Sequence, residues 1–255
     1  MSKTAVVTGG SSGIGLQTAR RLLADGWRVW SLDVNPPPPH CATPLFMRAE
    51  MFSYLACNVS DIASTQAAFE QIQNQTEKID ALICSAGVLR AGRLVDQPPE
   101  HIDMMMNVNI KGPWLSTRYS VPLLKNGSTP GHPARVVFVG SISGIRPKVG
   151  TGFYAASKAA LHVLVGVLAV ELADANILVN AVAPGTVATP MICEQPGPEG
   201  IGTSFRPSGM SPLGRIAEPD DVVDVILFFL GERSCYVTGT VLPVDGGTRA
   251  AFSPK

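Results

Sequence analysis

Charge is scarce in this 255-residue chain, and what there is cancels. Asp, Glu, Lys and Arg make up 16% of the residues, 20 acids against 20 bases. That balance leaves no basic face for nucleic acid and no acidic tail. No two cysteines stand at Cys-x-x-Cys spacing. The five present (Cys41, Cys57, Cys84, Cys193 and Cys235) are an odd number, which suits free thiols in a reducing compartment. Histidine is equally sparse, and His40, His101, His132 and His162 lack ligand spacing, so no metal site is expected. The apolar run behind Met1-Ser2-Lys3 is too short for a signal peptide. The expectation is a soluble cytoplasmic protein, long enough to bury a substantial core.

What is present begins with Thr4 to Thr8, a short apolar run that reads as a buried strand. Gly9-Gly10-Ser11-Ser12-Gly13-Ile14-Gly15 follows, and helical periodicity starts at Leu16. A strand, a glycine-rich turn and a helix N-terminus form an anion site, because backbone N–H groups and the helix dipole face a pyrophosphate. Gly9 permits the tight turn, Gly13 the approach of backbone to ligand, and Gly15 close packing of helix on strand. Val29 to Asp33 is the next strand. Its closing acid is placed to bind an adenosine ribose and to repel a 2′-phosphate. Val34-Asn35 and four prolines follow, with no adjacent Arg or Lys to clamp a phosphate. The pattern favours NAD over NADP.

Further strands are expected at Tyr54–Cys57, Ile79–Cys84, Arg135–Gly140, Ile177–Val182 and Val241–Asp245, with helical segments between them. A helical region from Pro99 continues through Asn107-Val108-Asn109-Ile110-Lys111-Gly112 to near Lys125, and Asp220 to Leu230 is a last amphipathic helix. The alternation predicts one doubly wound α/β domain over 1–255, its parallel sheet flanked by helices on both faces. Ligands bind beyond the carboxyl ends of such strands, where the glycine loop, Asp33, Gly87 and Ser141 are expected. Residues 192–213 are rich in Gly and Pro without period, which makes 190–213 a candidate substrate lid.

Tyr154 and Lys158 stand four apart, one turn apart on a helix face. A Tyr working as acid or base near neutrality needs its phenolate favoured. Lowering its pKa by roughly 3 corresponds to about 4 kcal/mol, much of which an adjacent cation can supply. Ala159 to Ala169 is apolar on nearly every face, more than one sheet can cover, so a second subunit is expected. Lys158, His162 and Glu171 bracket or interrupt a run too short to span a membrane.

Together these motifs resemble the short-chain dehydrogenase/reductase superfamily over essentially the whole chain. Thr8-Gly9-x-x-x-Gly13-x-Gly15 is similar to its cofactor motif. Ser141, Tyr154 and Lys158 match its catalytic serine and Tyr-x-x-x-Lys pair, Asn109 its fourth catalytic residue, and Val244-Asp245-Gly246-Gly247 its C-terminal signature. The resemblance implies a Rossmann-type fold of about seven strands, a homotetramer, a small-molecule substrate and NAD(H) as cofactor. It carries cofactor contacts onto Gly9, Ser11, Ser12, Gly13, Ile14, Gly15 and Asp33, then Asn58, Val59, Ser85, Ala86 and Gly87. Pro184, Gly185, Val187 and Thr189 complete the set with Tyr154 and Lys158. The implied reaction is hydride transfer between a nicotinamide and a secondary alcohol (or diol) or its ketone. Tyr154 exchanges the proton, Ser141 binds the substrate oxygen, and Lys158 favours the phenolate and binds the nicotinamide ribose. Asn109 places a water that relays protons to Lys158.

Two departures are visible. Cys84-Ser85 stands where the family usually has Asn-Asn, which leaves the bracing of that turn open. Asn58 stands for the usual Asp beside adenine, where its carbonyl can still accept a hydrogen bond. Rival readings are an NADPH-dependent 3-oxoacyl-carrier-protein reductase, disfavoured by Asp33, and a catalytically silent nucleotide sensor. Arg90 and Arg146 follow ligand-side strand ends and Arg206 lies in the lid. This resembles the 2,3-dihydro-2,3-dihydroxybenzoate dehydrogenases, whose substrate is a cyclic diol acid that guanidinium forks could hold.

Overall fold

In the computed structural model, which describes residues 2–38, 50–193 and 210–250, seven parallel strands form one sheet in the order β3-β2-β1-β4-β5-β6-β7. The strands are β1 (Thr4–Thr8), β2 (Arg28–Asp33), β3 (Phe52–Ala56), β4 (Ala81–Cys84), β5 (Ala134–Val139), β6 (Ile177–Pro184) and β7 (Val241–Val244). Strands covered on both faces read as near-continuous apolar runs, and β1, β4 and β5 are buried throughout. The helices are α1 (Gly13–Ala24), α2 (Ile62–Gln73), α3 (Pro99–Met106), α4 (Gly112–Gly127), α5 (Gly152–Glu171), α6 (Pro190–Cys193) and α7 (Pro219–Leu230).

Each face has its own core. Leu22 and Leu23 of α1 join Ile226 and Phe229 of α7 under one face. Phe69 and Ile72 of α2, Leu123 and Leu124 of α4, and Leu161, Val165 and Ala169 of α5 fill the other. Chain order reverses beside β1, which pairs with β2 on one side and β4 on the other. That reversal parts the connections leaving the sheet and opens a crevice at the carboxyl ends.

The expected strands are all present, with ends shifted by up to two residues. The helix expected from Pro99 to near Lys125 is not continuous. Asn107–Lys111 forms a π-helical turn between α3 and α4, in which the Gly112 N–H reaches back to the Asn107 carbonyl. Pro113 has no N–H, so the ordinary bond back to the Asn109 carbonyl cannot form there.

α5 buries one stripe (Ala155, Lys158, Leu161, Val165, Ala169), while Val163, Val167 and Val170 on its outer side are exposed. Among the described residues it is also the one helix long and apolar enough to cross a membrane, yet its inner stripe is packed into the core. Of the expected lid, Pro190–Cys193 forms α6, and residues 194–209, with Arg206, lie outside the described residues.

Candidate active site

The crevice holds a cavity of about 290 Å³ that runs from the glycine loop to the N-terminal part of α5. Every candidate catalytic and cofactor-binding residue except Ser11, Gly15 and Asn109 lines it. At one end, Gly9 has φ of +67°, and a Cβ there would stand 2.6 Å from the Ala86 nitrogen. A side chain at Gly15 would run into the Gly9 carbonyl, so the absence of Cβ atoms lets loop, helix and the β4 turn close together. Asp33, at the tip of β2, accepts the Ser11 N–H at 3.1 Å and the Asn35 N–H at 3.2 Å. The Ser11 hydroxyl is buried and has no partner among the described residues. A cradle without side chains, an orphaned hydroxyl and an acid at the strand tip fit the phosphates and ribose of a dinucleotide.

The departures from the usual pattern have local explanations. Thr8 braces the β4 turn from behind: its carbonyl accepts the Ser85 N–H at 3.1 Å, and its hydroxyl accepts the Ala86 N–H at 3.4 Å. The turn therefore does not rest on the short Ser85 side chain. Asn58 lines the cavity, but its side-chain oxygen already accepts the Ser60 N–H at 3.1 Å and the Ser60 hydroxyl at 2.7 Å. Both lone pairs are taken, so the expected acceptor for adenine is not free. An Asn two residues before a Ser closes this local ring more readily than it reaches outward.

At the other end, Ser141 follows β5 and caps a short 3-10 turn, its hydroxyl accepting the Ser143 N–H at 3.1 Å. Gly144 lets that turn press onto α5. A Cβ there would stand 2.7 Å from the Lys158 carbonyl carbon, which is why Ser141 comes within hydrogen-bonding reach of Tyr154. Lys158 is buried, and its ammonium donates to the Val139 carbonyl at 2.9 Å. Burial with one neutral acceptor lowers its pKa to about 8.

The expectation that Lys158 depresses the Tyr154 pKa is not met in this state. Burial pushes the phenol above its ordinary value, and the Ser141 hydrogen bond only partly opposes that. The Lys158 nitrogen is 5.8 Å from the phenol ring centroid and is held by Val139, so desolvation outweighs its field.

Asn109 sits in the π-helical turn, fully buried, with its side chain spent on the scaffold. Its Oδ1 accepts the Val88 N–H at 2.9 Å, and its Nδ2 donates to the Val88 carbonyl at 2.9 Å and the Ser157 hydroxyl at 3.0 Å. What this residue can offer a ligand is its carbonyl, freed by Pro113, rather than its amide. Sequence reasoning missed Val88, Ser157 and His162, which is one turn beyond Lys158. The His162 ring lies against Gly140 and Gly144 on either side of Ser141. The i+4 spacing from Lys158 was a signal for it.

Of the arginines expected to hold an acid, Arg90 and Arg146 do not line the cavity. Arg90 is exposed and donates to the Leu89 carbonyl at 3.0 Å, and the Arg146 guanidinium is tied to the Thr248 carbonyl. Both satisfy backbone carbonyls close to them in the fold, which a reading by strand ends alone does not reveal.

A family model described as enoyl-(acyl carrier protein) reductase matches residues 9–249. The chain belongs to the short-chain dehydrogenase/reductase superfamily. It is an oxidoreductase of that family. It is 35% identical to oxidoreductase UcpA of Salmonella typhimurium over 254 residues, covering 96% of this chain and 94% of the relative. It superposes on the 3-ketoacyl-(acyl-carrier-protein) reductase of Brucella melitensis complexed with NADH with a TM-score of 0.85 at 27% identity, covering 96% of this chain and 98% of that one. ElxO with NADP bound gives the same TM-score and identity, with 98% and 100% covered. A nicotinamide cofactor accords with both structures, and the choice between its two forms is left to the residues around Asp33.

Proposed function

We propose that this chain interconverts a secondary alcohol, or a diol, and its ketone with NAD(H). The observation that carries the reading is the meeting of Ser141, Tyr154 and Lys158 on the wall of the same cavity that the glycine loop and Asp33 line. Gly9, Gly13 and the N-terminus of α1 hold the pyrophosphate, and Asp33 the adenosine ribose. Pro184, Gly185, Val187 and Thr189 border the nicotinamide side. The bound nicotinamide supplies or accepts the hydride.

The protein places the proton. Tyr154, kept protonated by burial, donates to the carbonyl oxygen during reduction and takes the proton back during oxidation. Ser141 donates a hydrogen bond to the same oxygen as charge develops on it. Lys158 holds the nicotinamide ribose and stabilises the phenolate left after transfer. The Asn109 carbonyl positions a water next to Lys158 through which the proton returns to solvent. The likeness to a 3-ketoacyl-(acyl-carrier-protein) reductase, itself complexed with NADH, favours a second reading, reduction of a carrier-bound ketone; the rival expected from the sequence is an NADPH-dependent form. The acid at position 33 weighs against it.

The exposed stripe of Val163, Val167 and Val170 on α5 supports a homo-oligomer, a tetramer by family precedent.

The test is a panel of alcohols and ketones assayed with NAD(H), alongside Tyr154→Phe. The variant is expected to lose about 10²- to 10⁴-fold in kcat while its NADH affinity stays near wild type. Near-normal turnover by Tyr154→Phe moves the acid elsewhere. Cofactor binding without turnover of any alcohol or ketone leaves a nucleotide sensor.

A further inference from the structure

We infer that the substrate end of this cavity takes an uncharged, apolar ketone or its alcohol and rejects compounds carrying a carboxylate. The inference rests on the proposed hydride transfer and names the substrate class for it. Among the described residues only two charged side chains line the cavity, Asp33 and Lys158. Asp33 stands at the far end, on the tip of β2, with its oxygens on the Ser11 and Asn35 N–H groups. Lys158 is buried with its ammonium on the Val139 carbonyl. The walls around Ser141 and Tyr154 that remain for a substrate are Val88, Pro190, Met191 and Ile192.

The rim has the same character. Gly92 pairs with Thr151, and a Cβ at Gly152 would meet Leu94, so residues 92–95 lie beside the turn of α5 that carries Tyr154. There Leu94 is 54% exposed and Val95 81%, and on the neighbouring loop Val149 is 79% exposed. Large apolar side chains left in water beside the turn that carries Tyr154 suit a ligand that covers them. The guanidiniums nearest in sequence are all engaged: Arg90 and Arg146 are directed to the Leu89 and Thr248 carbonyls, and Arg93, within the rim segment itself, pairs with Asp96 at 3.5 Å. A carboxylate entering the cleft would lose its water and gain no unengaged cation among the described residues. A ketone carbonyl needs only the Ser141 and Tyr154 hydroxyls. In the reaction its carbon gains the hydride from the dihydronicotinamide, which is oxidised. Its oxygen gains the Tyr154 proton, so the product is the neutral alcohol.

The experiment compares cyclohexanone with 3-oxocyclohexane-1-carboxylate, each at pH 7 with NADH, in the wild type and in Ile192→Arg. In the wild type the neutral ketone is expected to have a kcat/KM roughly hundredfold or more above the acid, the order set by an unpaired buried charge. In Ile192→Arg the gap should close to within about tenfold, mainly by a gain for the acid. An acid turned over as well as cyclohexanone by the wild type overturns the inference. Binding of both ketones to NADH-loaded protein, followed by nucleotide fluorescence, separates this inference from the reading beneath it. Selective binding of the neutral ketone without turnover supports the charge preference and sinks hydride transfer. Tighter binding of the acid, or binding of neither, overturns the preference itself.

Discussion

The Asp33 carboxylate accepts the Ser11 N–H of the glycine loop at 3.1 Å, so the acid proposed to bind the ribose also ties β2 to the loop that would hold the pyrophosphate. The side chain is thereby fixed, and it retains lone pairs for ribose hydroxyls. A 2′-phosphate brought beside it meets a carboxylate that cannot swing away.

Two substitutions separate charge from bracing. Asp33→Asn keeps an acceptor for the Ser11 N–H and removes the negative charge, whereas Asp33→Ala removes both. At an effective dielectric near 20, a charge pair about 4 Å apart interacts by about 4 kcal/mol, less where solvent screens it. The ratio of kcat/KM with NAD to that with NADP should therefore exceed one in the wild type and fall at least tenfold in Asp33→Asn. Asp33→Ala should show the same fall in ratio and a weaker affinity for both cofactors. A wild type that prefers NADP would refute the assignment of NAD.

Lys158 costs stability in return for its place in the site. Its folded pKa of about 8, against 10.5 for an ordinary lysine, corresponds to roughly 3 kcal/mol. A depressed lysine pKa means the unfolded chain binds more protons between pH 8 and 10.5. Stability from this group thus rises with pH across that window and is lost as pH falls through about 8. Lys158→Met removes the buried charge and leaves the Val139 carbonyl unpaired, a smaller loss. The variant should melt a few degrees above wild type at pH 7, with the advantage shrinking towards pH 10, while turnover and NADH affinity both drop. A lower Tm at pH 7 would mean that the Val139 bond outweighs the burial.

The sequence made the strands, the glycine loop and the Tyr154–Lys158 helix readable because each rests on local pattern: continuous apolar runs, glycines at fixed spacing, a four-residue repeat. It did not reveal where polar groups spend their hydrogen bonds. Asn58 turns in on Ser60, Asn109 clasps Val88, and Arg146 caps the segment at Thr248, a hundred residues away in the chain. Those pairings depend on how separate elements meet, as does the phenol of Tyr154. Its pKa was expected to follow the neighbouring cation and instead follows burial. The π-helical turn was hidden for a related reason, since Asn107 to Lys111 carry no helix breaker and the extra residue is absorbed at Pro113.

Gly140 and His162 give the most direct test of how the Ser141 turn is held. His162 is partly buried, its Nε2 has no partner among the described residues, and its ring fills the space above Gly140 and Gly144. Burial, and then the field of Lys158, lower its pKa to about 4, so at neutral pH it packs there as an uncharged wedge. A methyl on Gly140 would overlap the imidazole and stand 3.0 Å from the Val182 carbonyl, which itself accepts the Gly140 N–H at 2.8 Å. The backbone is therefore pinned and the ring has Gly144 behind it. Gly140→Ala should cost about 1–3 kcal/mol by overpacking and should also lower kcat, because Ser141 is the next residue. His162→Ala vacates the space at its own cost, and in the double variant the two losses should be less than additive by at least about 0.5 kcal/mol. Chemical denaturation of the four proteins measures the coupling. Strict additivity would show that the imidazole yields freely and that the Ser141 turn does not lean on it.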